Sequence, residues 1–249
     1  MTEKKKIMFI GAHNDDCEYG TGGIAALLAQ QGHELLFLNV ACKRYSERTP
    51  ERLKIEDEME RRAAEILGAT KKIVGDRSSK AYYRTPENTE IIMNEIVAFK
   101  PDIVFMHWPK DNHVEHIAVS KCTLDALCLA AVRRAVPNET YAFEAGPDQS
   151  VQFFHPDIYI DITSVAEKVE QSLKTFDMEH ANGEGLWREK DVCARFRGHV
   201  VGVKYAEALK IIKFPTGFEN NELLLPKLLK GKFAWHNVGM YPWGRQYFL

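Results

Sequence analysis

An apolar run, IMFI, leads into GAHNDDCEYGTGG (11–23), which sets His13, Asp15, Asp16 and Glu18 close together. A second apolar run, PDIVFM, leads into HWPKDNHVEH, with His107, Asp111, His113, Glu115 and His116. Imidazoles and carboxylates at this density are donors for a divalent cation of borderline softness, and a His/Asp/His set with one open position suits zinc most often. Such an ion lowers the pKa of a bound water toward ~7, and a carboxylate that does not hold the metal can then take the proton of that water. The adjacent Asp15 and Asp16 allow this split, one turned to the metal and the other to the water. His113 and His116 are three residues apart where a loop enters a helix and can face the same side. Between them they could hold the ion and stabilise an oxyanion or protonate a leaving amine.

The two clusters lie about 100 residues apart in sequence, so an architecture has to bring them together. IMFIGA (7–12), ELLFLNVA (34–41) and PDIVFMH (101–107) read as strands buried on both faces, and KKIVG as a possible short one. Helices are expected over Gly20–Gln31, 50–67, 85–100 (with Thr85 capping before Pro86), 116–135 and 163–176. YAFEA (141–145) and DIYIDI (157–162) read as further strands. The last third, including WREKDVCARFRGHVVGVKYAEALKIIKF, reads as helical and then irregular. Strands alternating with helices predict an α/β, Rossmann-like three-layer fold with a mostly parallel sheet. In such sheets ligands gather at the carboxyl ends of the strands, where both clusters fall. With no repeat, low-complexity tract or linker, residues 1–249 are expected to form a single domain.

Each cluster alone has a simpler reading. Asp15 and Asp16 could serve the N-terminus of a helix beginning near Gly20, a contribution of ~0.3–1 kcal/mol. Gly20, Gly22 and Gly23 match neither GxGxxG nor GxxxxGK[ST], so close helix packing is the better account of them than a phosphate cradle. His107, Trp108 and Asp111 serve equally well as pocket lining or as loop packing. Glu18 fits a helix N-terminus better than a metal. Tyr241, Trp243 and Tyr247 could wall a sugar or meet a neighbouring subunit. The pairing of the two clusters favours the site over the cap.

AHNDDCE resembles the AHPDDE signature, and DNHVEH the DxHxDH signature, of the LmbE-like and PIG-L-like zinc-dependent N-deacetylases, which release acetyl groups from N-acetylglucosamine conjugates and related amines. DIYIDITSVAEKVEQSL and RFRGHVVGVKYAEAL are also similar to that family. The resemblance implies His13, Asp16 and His116 as zinc ligands, Asp15 as general base, and His113 as the group that meets the oxyanion or the departing amine. It also implies an arginine on the substrate, for which Arg44, Arg48 and Arg52 compete and Arg52 is favoured, and a homo-oligomer, a trimer or hexamer. Asn14 stands where the family has proline, and Glu115 where it has aspartate; the longer Glu115 could still orient a neighbour.

Composition excludes other classes. A net charge of −2 and a pI near 6.5 give no electrostatic reason to expect a nucleic acid or an anionic membrane as partner. Five cysteines without a CxxC pair point to reduced thiols rather than a disulfide framework or a thiolate zinc site. No apolar run reaches signal-peptide or membrane-span length, so a cytoplasmic location is expected. The expected activity is hydrolysis of a small N-acetylated substrate. A sugar- or nucleotide-binding module without turnover is the alternative, and a two-metal phosphoesterase, short of ligands here, a minor one.

Overall fold

The run KIMFIG forms β1 (Lys6–Gly11), buried along all but its first residue. A strand of this kind needs covering layers on both sides. The chain supplies them in order: α1 (Asp16–Gln30), β2 (Glu34–Asn39), α2 (Pro50–Ile66), β3 (Thr70–Ile73), α3 (Pro86–Phe99), β4 (Ile103–His107), α4 (Val114–Val132) and β5 (Glu139–Phe143). Then come β6 (Ile158–Asp161), a 3-10 turn (Thr163–Val165) running into α5 (Ala166–Leu173), α6 (Asn182–Val201), β7 (Ala206–Ile212), α7 (Leu224–Leu228) and β8 (Phe233–Trp235). This computed structural model describes residues 3–41, 49–74, 82–135, 137–146, 154–176, 182–212 and 223–236. Arg44, Arg48, Tyr241, Trp243 and Tyr247 lie outside them.

The eight strands form one sheet in the order β3-β2-β1-β4-β5-β7-β6-β8. The first five are parallel and the last three join antiparallel. Ile7, Phe9, Leu35, Phe37 and Phe105 point to one face, covered by α1, α2 and α5 through residues such as Ile24, Ala63 and Val169. Met8, Ile10, Leu36, Leu38 and Val104 point to the other, covered by α3 and α4 through Ile92, Ile96, Val119 and Leu127. The three-layer arrangement expected from the sequence is the one observed. Its connections run outward from β1 in one direction and from β4 in the other, so the switch point of the sheet lies between these two neighbours, the place where ligands collect in open α/β sheets.

Two elements depart from the sequence reading. Helix α1 begins at Asp16 rather than near Gly20, so the motif residues form its first turn, and its backbone leaves helical angles at Thr21 (φ −139°, ψ 16°). Behind that break the Gly23 and Ile24 amides donate to Glu207 Oε1 and Oε2 at 2.9 and 2.8 Å. A carboxylate from β7 thus caps the rear segment in mid-helix, where the freed donors would otherwise be unpaired. The second departure is β7 itself. AEALKII is rich in helix formers, yet Gly202 (φ 77°) stops α6, and the segment is drawn into the gap between β5 and β6 with Ala206, Ala208 and Leu209 buried. Sheet packing overrides local propensity here.

The glycines of the motif serve packing. A Cβ on Gly20 would lie 2.3 Å from the Phe143 ring, and one on Gly23 2.5 Å from Ile162. Gly23→Ala is therefore expected to destabilise the fold by about 1–3 kcal/mol through overpacking. Gly185→Ala in α6, where a Cβ meets nothing within 4 Å, should be neutral or stabilising. Urea midpoints of the two variants check this pair, and equal midpoints would remove the packing argument.

Candidate metal centre

Strand β1 ends at Gly11, where a Cβ would lie 3.0 Å from both Asp16 Cβ and Cys17 Sγ, so the chain turns directly into the motif. His13 sits in the turn, Asp15 is the N-cap of α1 without a side-chain capping bond, and Asp16 opens the helix. Next door, β4 ends in His107, and Asp111 Oδ1 accepts the His113 N–H at 2.8 Å. His113 is the N-cap of α4, its Nδ1 accepting the Glu115 N–H at 3.3 Å. Glu115 and His116 follow in the first turn, both buried.

Four imidazoles and two pairs of carboxylates meet at this junction. His13 Nδ1 lies 3.1 Å from His116 Nε2 and 3.6 Å from Asp16 Oδ2, and His116 Nε2 lies 3.3 Å from Asp16 Oδ1. Bonds of about 2.0–2.1 Å in a tetrahedron place ligand atoms about 3.3 Å apart, so this triangle has the dimensions of three zinc ligands. The far nitrogen of each imidazole is occupied. His13 Nε2 is 2.8 Å from Glu115 Oε2, and His116 Nδ1 is 3.1 Å from Asp111 Oδ2. A proton on each of those nitrogens satisfies the buried carboxylate and leaves the facing lone pairs, His13 Nδ1 and His116 Nε2, directed at one another and at Asp16. With both rings neutral these donors can hold a cation between them, and the residues present fit one; in its absence a proton shared by His13 Nδ1 and His116 Nε2 satisfies the contact.

His113 stands beside this triangle, its ring centroid 4.8 Å from that of His13 and 4.4 Å from that of His116. Because its Nδ1 accepts a backbone amide, the neutral ring carries its proton on Nε2. His107 stacks on His116 at 4.1 Å, and its Nε2 lies 2.9 Å from Asp16 Oδ2, an oxygen that also accepts the His13 amide at 2.6 Å. Asp16 is thus held on several sides.

The electrostatics sort the groups. Burial would raise the Asp16 carboxyl, but His116, His107 and His13 hold it well below the usual range. Burial, then the neighbouring Asp16, raise the Asp15 carboxyl above its ordinary value. Burial would lower His116, yet Asp16 and Asp111 push it up to about 10. His107 falls to about 4 through burial and the nearby His116. His113 is lowered by burial and by the cationic character of His116 and His13. Two adjacent aspartates are thus driven apart, one kept as an anion and the other made more basic.

Residues 8–127, which span both clusters, match the family model described as PIG-L: GlcNAc-PI de-N-acetylase. The chain carries a PIG-L family domain. Diacetylchitobiose deacetylase of Thermococcus kodakarensis is 25% identical over 84% of this chain and 83% of its own length. 4-Oxalmesaconate hydratase of Pseudomonas putida is 27% identical over 88% of this chain and 93% of its own. The crystal structure of 4-carboxy-2-hydroxymuconate hydratase from Pseudomonas putida superposes with a TM-score of 0.70 at 25% identity, covering 87% of this chain and 99% of that one. The PIG-L domain is thus similar to a deacetylase and to hydratases.

Within the PIG-L domain the structure gathers His13, Asp16, His113 and His116, with Asp15 adjoining them in the turn. Arg52 lies in the first turn of α2, its Nε–H donating to Glu56 Oε1 at 3.1 Å on the same helix. Three groups had weak or open readings in the sequence and are prominent here: His107 against Asp16, Asp111 behind His116, and Glu115 behind His13. Their position within or beside the motifs was visible; which imidazole each one backs depends on the turn geometry. Among the described residues no helix is long and apolar enough to cross a membrane. If the triangle holds a divalent metal, Asp111→Asn should weaken its binding about 10–100-fold, because the amide fixes His116 less firmly than the carboxylate does. Competition with a chromogenic chelator reads this directly, and an unchanged affinity would separate Asp111 from the metal.

Proposed function

We propose that the protein is a zinc-dependent N-deacetylase, acting as one domain over residues 1–249 on a small N-acetylated molecule of the N-acetylglucosamine-conjugate class. The observation that carries this reading is the triangle of His13 Nδ1, the Asp16 carboxylate and His116 Nε2, each imidazole backed by its own buried carboxylate, with Asp15 beside it and making no side-chain capping bond. The deacetylase relative supplies the substrate class, and the free state of Cys17, Cys122, Cys128 and Cys193 accords with a reducing, cytoplasmic setting.

His13, Asp16 and His116 would hold the ion, which when bound supplies Lewis acidity to an amide carbonyl and acidifies water nearby. Asp15, its basicity raised, takes a proton from the attacking water as the oxygen–carbon bond forms. His113 presents Nε2–H to the developing oxyanion without first having to become a cation. Collapse breaks the C–N bond, a proton passes to the departing nitrogen, and acetate and a free amine leave. Arg52 is the candidate for holding the rest of the substrate.

The hydratase relatives, as similar as the deacetylase, support a second reading in which the same base and acid add water across a carbon–carbon double bond. One panel separates the two. Purified protein loaded with zinc is offered N-acetyl sugars, with release of primary amine measured, and unsaturated dicarboxylates, with loss of ultraviolet absorbance measured. Chelator-sensitive amine release is the expected result. Absorbance loss without amine release would replace the deacetylase by a hydratase, and neither reaction would favour the binding module.

A further inference from the structure

Lys71 lies on β3, separated from β1 by β2, and its side chain is fully buried. Its register partner on β2 is Phe37, which packs on the α1 side of the sheet. From there Nζ donates to the Asn14 carbonyl oxygen and to Glu18 Oε1, the latter at 2.7 Å, and faces the Phe176 ring at 5.4 Å. Both hydrogen-bond partners belong to the motif after β1: Asn14 stands between His13 and Asp15, and Glu18 sits in the first turn of α1. Glu18 Oε2 is buried without a partner. An ion pair left partly unsatisfied in this way is a poor device for stability, since two apolar side chains of similar volume would fill the space without desolvating charge. An apolar pair could not, however, hold a backbone carbonyl.

We infer that Lys71 is a positioning residue: its bond to the Asn14 carbonyl, aimed by Glu18, fixes the backbone between His13 and Asp15. It thereby sets the direction of a metal-holding imidazole and of the base together. The kinetic part of this inference rests on the deacetylase reading; the structural part does not.

The test compares the full chain with Lys71→Met and with the double variant Lys71→Met/Glu18→Met. Zinc affinity, hydrogen exchange of amides 13–19, thermal unfolding and turnover of the N-acetyl sugar that the wild type prefers are measured for each. Lys71→Met should exchange faster in the loop, bind zinc about tenfold more weakly, and lose about 10–100-fold in kcat through misplaced groups, with KM near the wild-type value. The double variant, relieved of the buried Glu18 charge though it keeps Glu60, which also faces Lys71, should regain most of the lost thermal stability and yet keep all three defects. If zinc affinity and loop exchange return with stability, Lys71 is a core residue only, and the inference falls. Wild-type affinity and exchange in Lys71→Met would overturn it as well. A wild type that hydrolyses no N-acetyl sugar would defeat the deacetylase reading, while exchange and zinc affinity still decide the role of Lys71. Should Lys71→Met not fold, the double variant carries the comparison.

Discussion

Asp15→Asn is expected to keep whatever metal content the wild type has and, on the proposed function, to lose about 10²–10⁴-fold in kcat, the range for removing a general base. The argument rests on the difference between two neighbours in sequence. Asp16 is engaged on both oxygens, by the His13 amide and His107 on one and by His116 on the other. Asp15 makes no side-chain capping bond, and its carboxyl is raised by burial and by the charge of Asp16. The amide keeps the shape and removes the basicity, so metal content should stay while turnover falls. Elemental analysis beside initial rates measures both at once. Loss of zinc from this variant would make Asp15 a ligand and reverse the assignment of the pair.

His116→Ala is the complementary case, and its expected effect is larger. The variant should retain no stoichiometric zinc, and added zinc should not restore amine release. His116 supplies one corner of the triangle and is also the partner of Asp111 Oδ2 and Asp16 Oδ1. Its removal takes an imidazole partner from each of two buried carboxylates, Asp111 and Asp16, so the apo protein should also unfold at a lower temperature than apo wild type. Both close groups of potential donors, His13 with His113 and His116, and Asp16 with His107 and His116, contain His116, so a His116→Ala protein that still carries the metal tightly would overturn its assignment as a ligand.

Much of this was legible in the sequence, for reasons that can be named. Strands β1, β2 and β4 are apolar throughout because helices cover both faces, and that pattern places them to within about two residues. Thr85 accepts the Asn88 amide as a helix cap at 3.2 Å, as Thr–Pro at a helix start predicts. The convergence of the two motifs follows from strand topology alone. The start of α1 was less legible, because its first turn is stabilised by Lys71, which lies on another strand, and its break by Glu207, which lies farther still along the chain. Strand β7 was hidden for a similar reason: Glu207 sits in a run that looks helical and does its capping through tertiary contact. The backing of His13 by Glu115 and of His116 by Asp111 depends on which nitrogen each ring turns outward, and spacing does not encode that.

The interruption at Thr21 leaves the two parts of α1 with separate moorings. Behind it, Gly22–Gln30 is tied to β7 through Glu207 and packed into the core by Ile24 and Leu28. Ahead of it, Asp16–Gly20 is held by the loop, by Lys71 and by the convergent histidines, with Thr21 Oγ1 donating back to the Cys17 carbonyl at 2.9 Å. Cys17 and Tyr19 nevertheless pack in the same core cluster as Ile24 and Leu28, so the break redirects the helix toward the motif without freeing either part from the sheet.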